Sequence, residues 1–176
     1  MGKALPSPGC FCPIFRTHGD RSKPAMPALP ATGSRWKEEG SYCTAPGGHA
    51  SGGHNELWQF GDEAAPMLLK MVRLRETLKP YIKLLAANAT ATGAPPMRPL
   101  FYDFPNDARA WAVDDQYMFG PLYLVAPILE MGARNRSVYF PDGASWKHLF
   151  TEQVYRGGAA QDVAAPLEEL PVFTRQ

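Results

Sequence analysis

The side chains in this sequence that could do chemistry fall into a few small groups. His18 stands two residues after Arg16 in the cluster Arg16-Thr17-His18-Gly19, directly after a short apolar run at 10–15. A solitary histidine is usually structural, so His18 gains a role only from what surrounds it. Cys10, Cys12, Cys43, His49 and His54 carry the ligand types that suit zinc. The Cys-x-Cys pair, however, lies in the apolar run, and the two histidines lie in a Gly-rich stretch without a recognised zinc spacing, so no metal is expected. Among the carboxylates, Asp103 falls near the end of an aromatic-rich run, which is where a strand delivers a catalytic group, although a hydrogen-bonded structural role is the commoner fate. Asp114 and Asp115 are adjacent, and an extended backbone would send them to opposite faces, against a catalytic pair. Asp62 and Glu63 precede a helical pattern, where negative charge is stabilised by the dipole and capping is the default.

These groups need elements to position them. Residues 10–15 are short enough for a strand or its exit. From 20 to 54 the chain turns to Gly, Pro, Ala, Ser and charged residues with no period of 2 or 3.6, which predicts a long loop. After Asp62, Leu68, Met71, Val72, Leu78, Ile82 and Leu85 recur every three to four residues and define one stripe of a helix ending at Gly93. Pro80 predicts a kink or break near Lys79. Residues 99–104, bounded by prolines, read as a buried strand, and an architectural border is expected near Trp111. Beyond it, runs at 116–119, 122–129, 137–140, 146–150 and 169–173 alternate with turn signals such as Pro141-Asp142-Gly143 and Gly157-Gly158. That is the pattern of an antiparallel sandwich rather than βαβ units.

Composition narrows the function classes. With 176 residues, 45% hydrophobic and 20% charged, the chain is neither disordered by composition nor too small for a core. A formal net charge of +1 offers no field for nucleic acid. No stretch approaches the roughly 20 apolar residues of a membrane span, so neither nucleic acid nor membrane is an expected partner. Three cysteines do not make a disulfide framework, and nothing assigns a compartment. The sequons at Asn88 and Asn135 matter only in an exported protein. Residues 1–9 read as a frayed, disordered start.

Six words carry a resemblance: FRTHG (15–19), NELWQFGDEA (55–64), RLRETLKPYI (73–82), TGAPPMRPLFYDFP (92–105), DDQYMFG (114–120) and LVAPILEMGAR (124–134). In this order they resemble the carboxyl-terminal part of glycoside hydrolase family 31, which contains α-glucosidases and α-xylosidases. The resemblance implies an α/β plus β architecture. Residues 10–111 would form the last strands and helices of a TIM (β/α)8 barrel, with 20–54 a long loop, and 112–176 an antiparallel β-sandwich. It implies that His18 hydrogen-bonds sugar hydroxyls and that Arg16 shapes the pocket or pairs with a carboxylate. It implies cofactor-free hydrolysis of α-linked glucosides or xylosides with retention, which needs two carboxyl groups roughly 5 Å apart. The family's two aspartates stand in motifs of the W-x-D-x-x-E or D-x-G-E kind and before a Gly-Gly-Phe-like segment, and neither occurs in this sequence. The chain alone is therefore expected to lack the nucleophile and the acid/base, with a missing amino-terminal part of the barrel as partner. A non-catalytic carbohydrate-binding or structural module is the rival.

Overall fold

The computed structural model describes residues 8–15, 62, 64–130 and 132–176. Contacts gather the chain into two units, Met1–Phe15 with Pro66–Gln176, and Arg16–Ala65. The first carries every described strand.

Helix α1 (Ala64–Thr92) begins two residues after Asp62, with Pro66 in its first turn, where a missing N–H leaves no bond unmade. Its buried residues, Ala64, Met71, Leu78 and Leu85, recur at sevens, with Leu74, Tyr81 and Ile82 half-buried beside the last three. The helix runs unbroken through Pro80, contrary to the sequence expectation of a kink or break. Pro80, Glu76 and Lys79 are all exposed, so the carbonyl that loses its amide partner is left where water reaches it. At the far end Gly93 donates its N–H to the Ala89 carbonyl at 2.9 Å and closes the last turn.

Residues 99–104 do not form the strand read from the sequence. A two-residue strand, β1 (Met97–Arg98), leads through Pro99 into a single helical turn, α2 (Leu100–Asp103). The Phe104 N–H bonds to the Leu100 carbonyl at 3.0 Å, and the buried residues of the run are Leu100 and Phe104, four apart. That is helical spacing, hidden in the sequence by the density of aromatics.

The remaining strands are β2 (Tyr117–Phe119), β3 (Tyr123–Val125), β4 (Asn135–Phe140), β5 (Ser145–His148), β6 (Val154–Arg156), β7 (Ala159–Ala164) and β8 (Val172–Arg175). They form a six-stranded sheet, β1-β2-β3-β8-β5-β6, and a two-stranded sheet, β4-β7, with every pairing antiparallel. Alternation along the strands explains the layering. Met118, Leu124 and Phe173 join a core shared with Val138, Phe140 and Val163 of the small sheet. Their neighbours Phe119, Val125 and Val172 point the other way and pack with Met71, Leu78 and Leu85 of α1. The large sheet is thus buried on both faces, by a helix on one side and a second sheet on the other.

The two sheets are parts of one bent ribbon. Phe140 pairs with Ala159 in β4-β7, and Ser145 pairs with Arg156 in β5-β6, so four residues on one side of the bend face two on the other. At this corner Gly157 lies against backbone: a Cβ there would meet the Pro141 carbonyl oxygen at 2.2 Å and that of Ala144 at 2.7 Å. Gly157-Gly158 is therefore not a hairpin turn but the place where the chain passes between sheets.

The hairpin joining β5 to β6 is held by His148, which is 2% exposed. Its Nδ1 accepts the N–H groups of Phe150 at 3.3 Å and Thr151 at 3.1 Å, so the ring must be neutral at that nitrogen. Burial lowers the histidine pKa from its ordinary 6.5, partly opposed by Glu169. A base whose folded pKa is depressed contributes stability that is fully present above its unfolded pKa and is lost as pH falls below it. We expect the urea midpoint to fall between pH 7 and pH 5, and the slope to be shallower in His148→Gln. Equal slopes in the two proteins would refute this.

Candidate functional site

Arg16 and His18 lie outside the described residues, but the segment that leads to them does not. Pro8–Phe11 is a turn of 3-10 helix and 12–14 continue as a bend, so 10–15 is not a strand in this structure. Its carbonyls belong to no ladder of either sheet. Arg75 supplies their partners instead: its Nη1 donates to the oxygens of Gly9 at 3.1 Å, Cys10 at 3.0 Å and Cys12 at 2.6 Å, and its Nη2 to that of Pro13 at 3.1 Å. The Phe11 carbonyl, between them, accepts from the Tyr117 hydroxyl at 3.2 Å. The Phe15 ring lies 5.7 Å from the guanidinium carbon. Phe11 itself is fully buried against Phe119 and Tyr123. The sequence reading passed over Arg75, although the signal was present: it sits four residues after Met71 and three before Leu78, a charge on the buried stripe of α1.

The thiols in this segment are structural. Cys10 is 1% exposed and donates to the Met71 carbonyl at 3.1 Å, and burial pushes its pKa up to about 12, so it is not a thiolate at neutral pH. The Cys12 sulfur lies 3.9 Å from the Tyr117 hydroxyl. Cys43, His49 and His54 lie outside the described residues. Among those described, no three His, Cys, Asp or Glu side chains converge as metal ligands would.

Asp103, Asp107 and Asp115 are committed to partners. Asp103 accepts from Arg98 Nε at 2.7 Å, with the two side chains 12% and 6% exposed. Burial raises the Asp103 pKa, and Arg98 opposes that. Asp107 caps the 3-10 turn Ala108–Trp111 through the Arg109 N–H and also accepts from the Tyr139 hydroxyl and the Asp142 N–H. Burial would raise its pKa, but the hydrogen bonds, led by that from Asp142, outweigh it and hold the carboxyl low. A cavity of about 300 Å³ opens along residues 103–107, with Asp142 and Gly143 opposite. Its two half-buried carboxylates, Asp103 and Asp107, are already satisfied acceptors. Asp115 pairs with Arg136 at 2.6 Å beside a second cavity of about 370 Å³, and Asp114 is exposed.

Two placements were not foreseen. Gln116, buried, donates to the Tyr139 carbonyl at 2.9 Å and accepts its N–H at 2.8 Å, joining the segment before β2 to β4 across the two sheets as a strand would. Gly120 takes φ +58° where Tyr81 reaches over it; a Cβ there would meet the Tyr81 hydroxyl at 2.1 Å. Of the aromatics, Phe119 lies in the core with the half-buried Tyr117 packed against it, Trp58 and Phe60 fall outside the described residues, and Trp111 stacks on Phe101 at 4.6 Å while remaining 60% exposed.

Residues 93–176 match the family model for the glycosyl hydrolase family 31 C-terminal domain. Over 145 residues, 81% of this chain, the sequence is 35% identical to alpha-glucosidase 2 of Bacillus thermoamyloliquefaciens, of which the match covers 18%. Over 141 residues, 80% of this chain, it is 35% identical to an alpha-xylosidase of Saccharolobus solfataricus, of which 19% is covered. It is also similar to the crystal structure of a family 31 alpha-xylosidase from a soil metagenome complexed with xylose, with a TM-score of 0.77 and 42% identity, over 96% of this chain and 23% of that one. The chain thus spans about a fifth of the length of these relatives.

Proposed function

Because the chain belongs to glycoside hydrolase family 31, we propose that it forms the carboxyl-terminal part of a retaining enzyme that hydrolyses α-linked glucosides or xylosides. In this reading α1 belongs to the end of a (β/α)8 barrel, and the β-sandwich that follows begins at β1, which already pairs with β2. His18 binds hydroxyls of the glycone, and Arg16 shapes the pocket beside it. The two catalytic aspartates belong to upstream barrel strands, which are the chain's partner, and no cofactor takes part.

The observation that carries the reading is the continuity of the likeness: one stretch covers four fifths of this chain but only a fifth of its relatives. The state of the described carboxylates is in keeping with it, since those facing the cavity at 103–107 are held by Arg98, Tyr139 and backbone amides.

The 176 residues alone are expected to release no nitrophenol from an aryl α-glucoside or α-xyloside. Co-expression with a family 31 polypeptide that carries both aspartates is expected to restore turnover, with loss in His18→Ala appearing mainly as a higher KM. Robust turnover by the chain alone that disappears in Asp103→Asn would overturn the reading.

A further inference from the structure

We propose that Trp111 is the floor of a carbohydrate-binding site, where a neutral pyranose ring stacks on the indole beside the cavity at 103–107. The ring is exposed and yet fixed. It closes the 3-10 turn Ala108–Trp111, whose start is capped by Asp107. Its Nε1 donates to the Pro105 carbonyl at 3.0 Å, and one face lies on the Phe101 ring at 4.6 Å, within 12° of parallel. With that edge and that face occupied, the residue's 60% exposure falls on the opposite face and the remaining edge. A large flat ring already held in one orientation offers a ligand contact area at little further cost in side-chain entropy.

The neighbouring groups select the ligand. Pro105, which holds the indole edge, also lines the cavity of about 300 Å³, so the platform and the cavity adjoin. Asn106 and Asp142 line it too, both exposed, and neither side chain is engaged in a hydrogen bond among the described residues. Asp103 and Asp107 add carboxylates to the same wall. An apolar protein or lipid surface closing over Trp111 would strip water from Asn106 and Asp142 and give nothing back, which is costly. A polyanion would meet like charge. A pyranose satisfies both halves of the site. Its C–H face lies on the indole, while hydroxyls at its rim donate to the Asp142 carboxylate and exchange hydrogen bonds with the Asn106 amide. A cationic peptide is the competing occupant, because it too pairs with carboxylates and with an aromatic face. No residue of this site is assigned above to the glycone pocket or to catalysis, so it stands or falls apart from the glycosidase reading.

Binding is read on the 15N-labelled 176-residue chain by titration with maltotriose. The Trp111 indole N–H and the amides of 105–111 and 142–143 should shift to saturation, while the indole of the fully buried Trp146 stays in place. Trp111→Ala should weaken the affinity about tenfold or more, and Trp111→Phe, which keeps a ring over Phe101, should recover part of the loss. Amide shifts of β3 and β8 identical to those of the parent chain show that each variant is folded. Asp142→Asn should weaken maltotriose binding less than Trp111→Ala does. Tetralysine, titrated in the same way, should bind more weakly than maltotriose. In the enzyme complemented with upstream barrel strands, hydroxyl-radical footprinting should still oxidise Trp111. No saturable shift with maltotriose, or the same affinity in Trp111→Ala, would overturn the proposal. So would tighter binding of tetralysine, which would assign the site to a cationic peptide, or protection of Trp111 in the complemented enzyme, which would make the patch a joint covered by the rest of the protein.

Discussion

Phe173→Ala should lower the free energy of unfolding by about 3–5 kcal/mol, the range for deleting a large buried ring. The residue is fully buried on the central strand β8, whose neighbours are β3 and β5, so no edge is near enough to relax into the hole. Its ring meets Phe140 edge-on at 4.8 Å, Tyr155 at 5.5 Å and His148 at 5.1 Å. Each contact joins a different strand, and Phe140 belongs to the other sheet, so one truncation loosens both layers and the His148-capped hairpin together. A domain is typically stable by only about 5–15 kcal/mol, so this loss would be a large fraction of the total. Phe173→Leu keeps most of the volume and should cost distinctly less. Val154→Ala, on the edge strand β6 and 56% exposed, should stay within about 0.5 kcal/mol. Urea unfolding followed by Trp fluorescence gives all three values. A Phe173→Ala loss no larger than that of Val154→Ala would mean that the two sheets do not share a core.

Much of this architecture was legible in the sequence, and the gaps have physical causes. The apolar recurrence of α1 and its end at Gly93 follow from local rules, as do β2, β3, β4, β5 and β8 within a few residues. β7 was not read because its sequence, AAQDVA, has only Val163 buried and little strand propensity. Its extension comes from six paired residues of β4. β6, three residues long, is likewise a strand by virtue of β5. Residues 99–104 were misread because a helical turn and a buried strand of the same length share a composition, and only the four-residue spacing of Leu100 and Phe104 separates them. The Gly157-Gly158 pair suggested a turn, and the close approach of Pro141 and Ala144 that makes Gly157 necessary is a tertiary fact. At the site, the family words pointed to Arg16 and His18, which lie outside the described residues. Arg75 could have been noticed as a charge on the apolar stripe, but the residues that Arg75, Tyr117 and Gln116 bond lie up to 106 positions away in the chain, and no local pattern names those partners.

The second large effect concerns Arg98 and Asp103, and it separates a structural carboxylate from a catalytic one. The pair is almost enclosed, and Arg98 also lies 5.0 Å above the Tyr102 ring. Removing one member of such a pair leaves the other charge without compensation at a cost of about 3–5 kcal/mol, while replacing both by apolar groups of similar size is often close to neutral. Arg98→Met should therefore be severely destabilised at pH 7, and the double variant Arg98→Met with Asp103→Leu should regain most of the loss, a non-additivity that independent sites do not show. The single variant should also acquire a pH dependence with a definite sign. Burial already raises the Asp103 pKa above 3.8, and without Arg98 nothing comparable opposes it. An acid whose folded pKa is raised is best accommodated when protonated, so the defect of Arg98→Met should be smallest near pH 4 and grow as pH rises toward 7. Urea midpoints for the four proteins across that range provide the cycle. Additive losses, or a defect that does not change with pH, would mean that Asp103 is not neutralised by Arg98 and would reopen its candidacy as a reacting group.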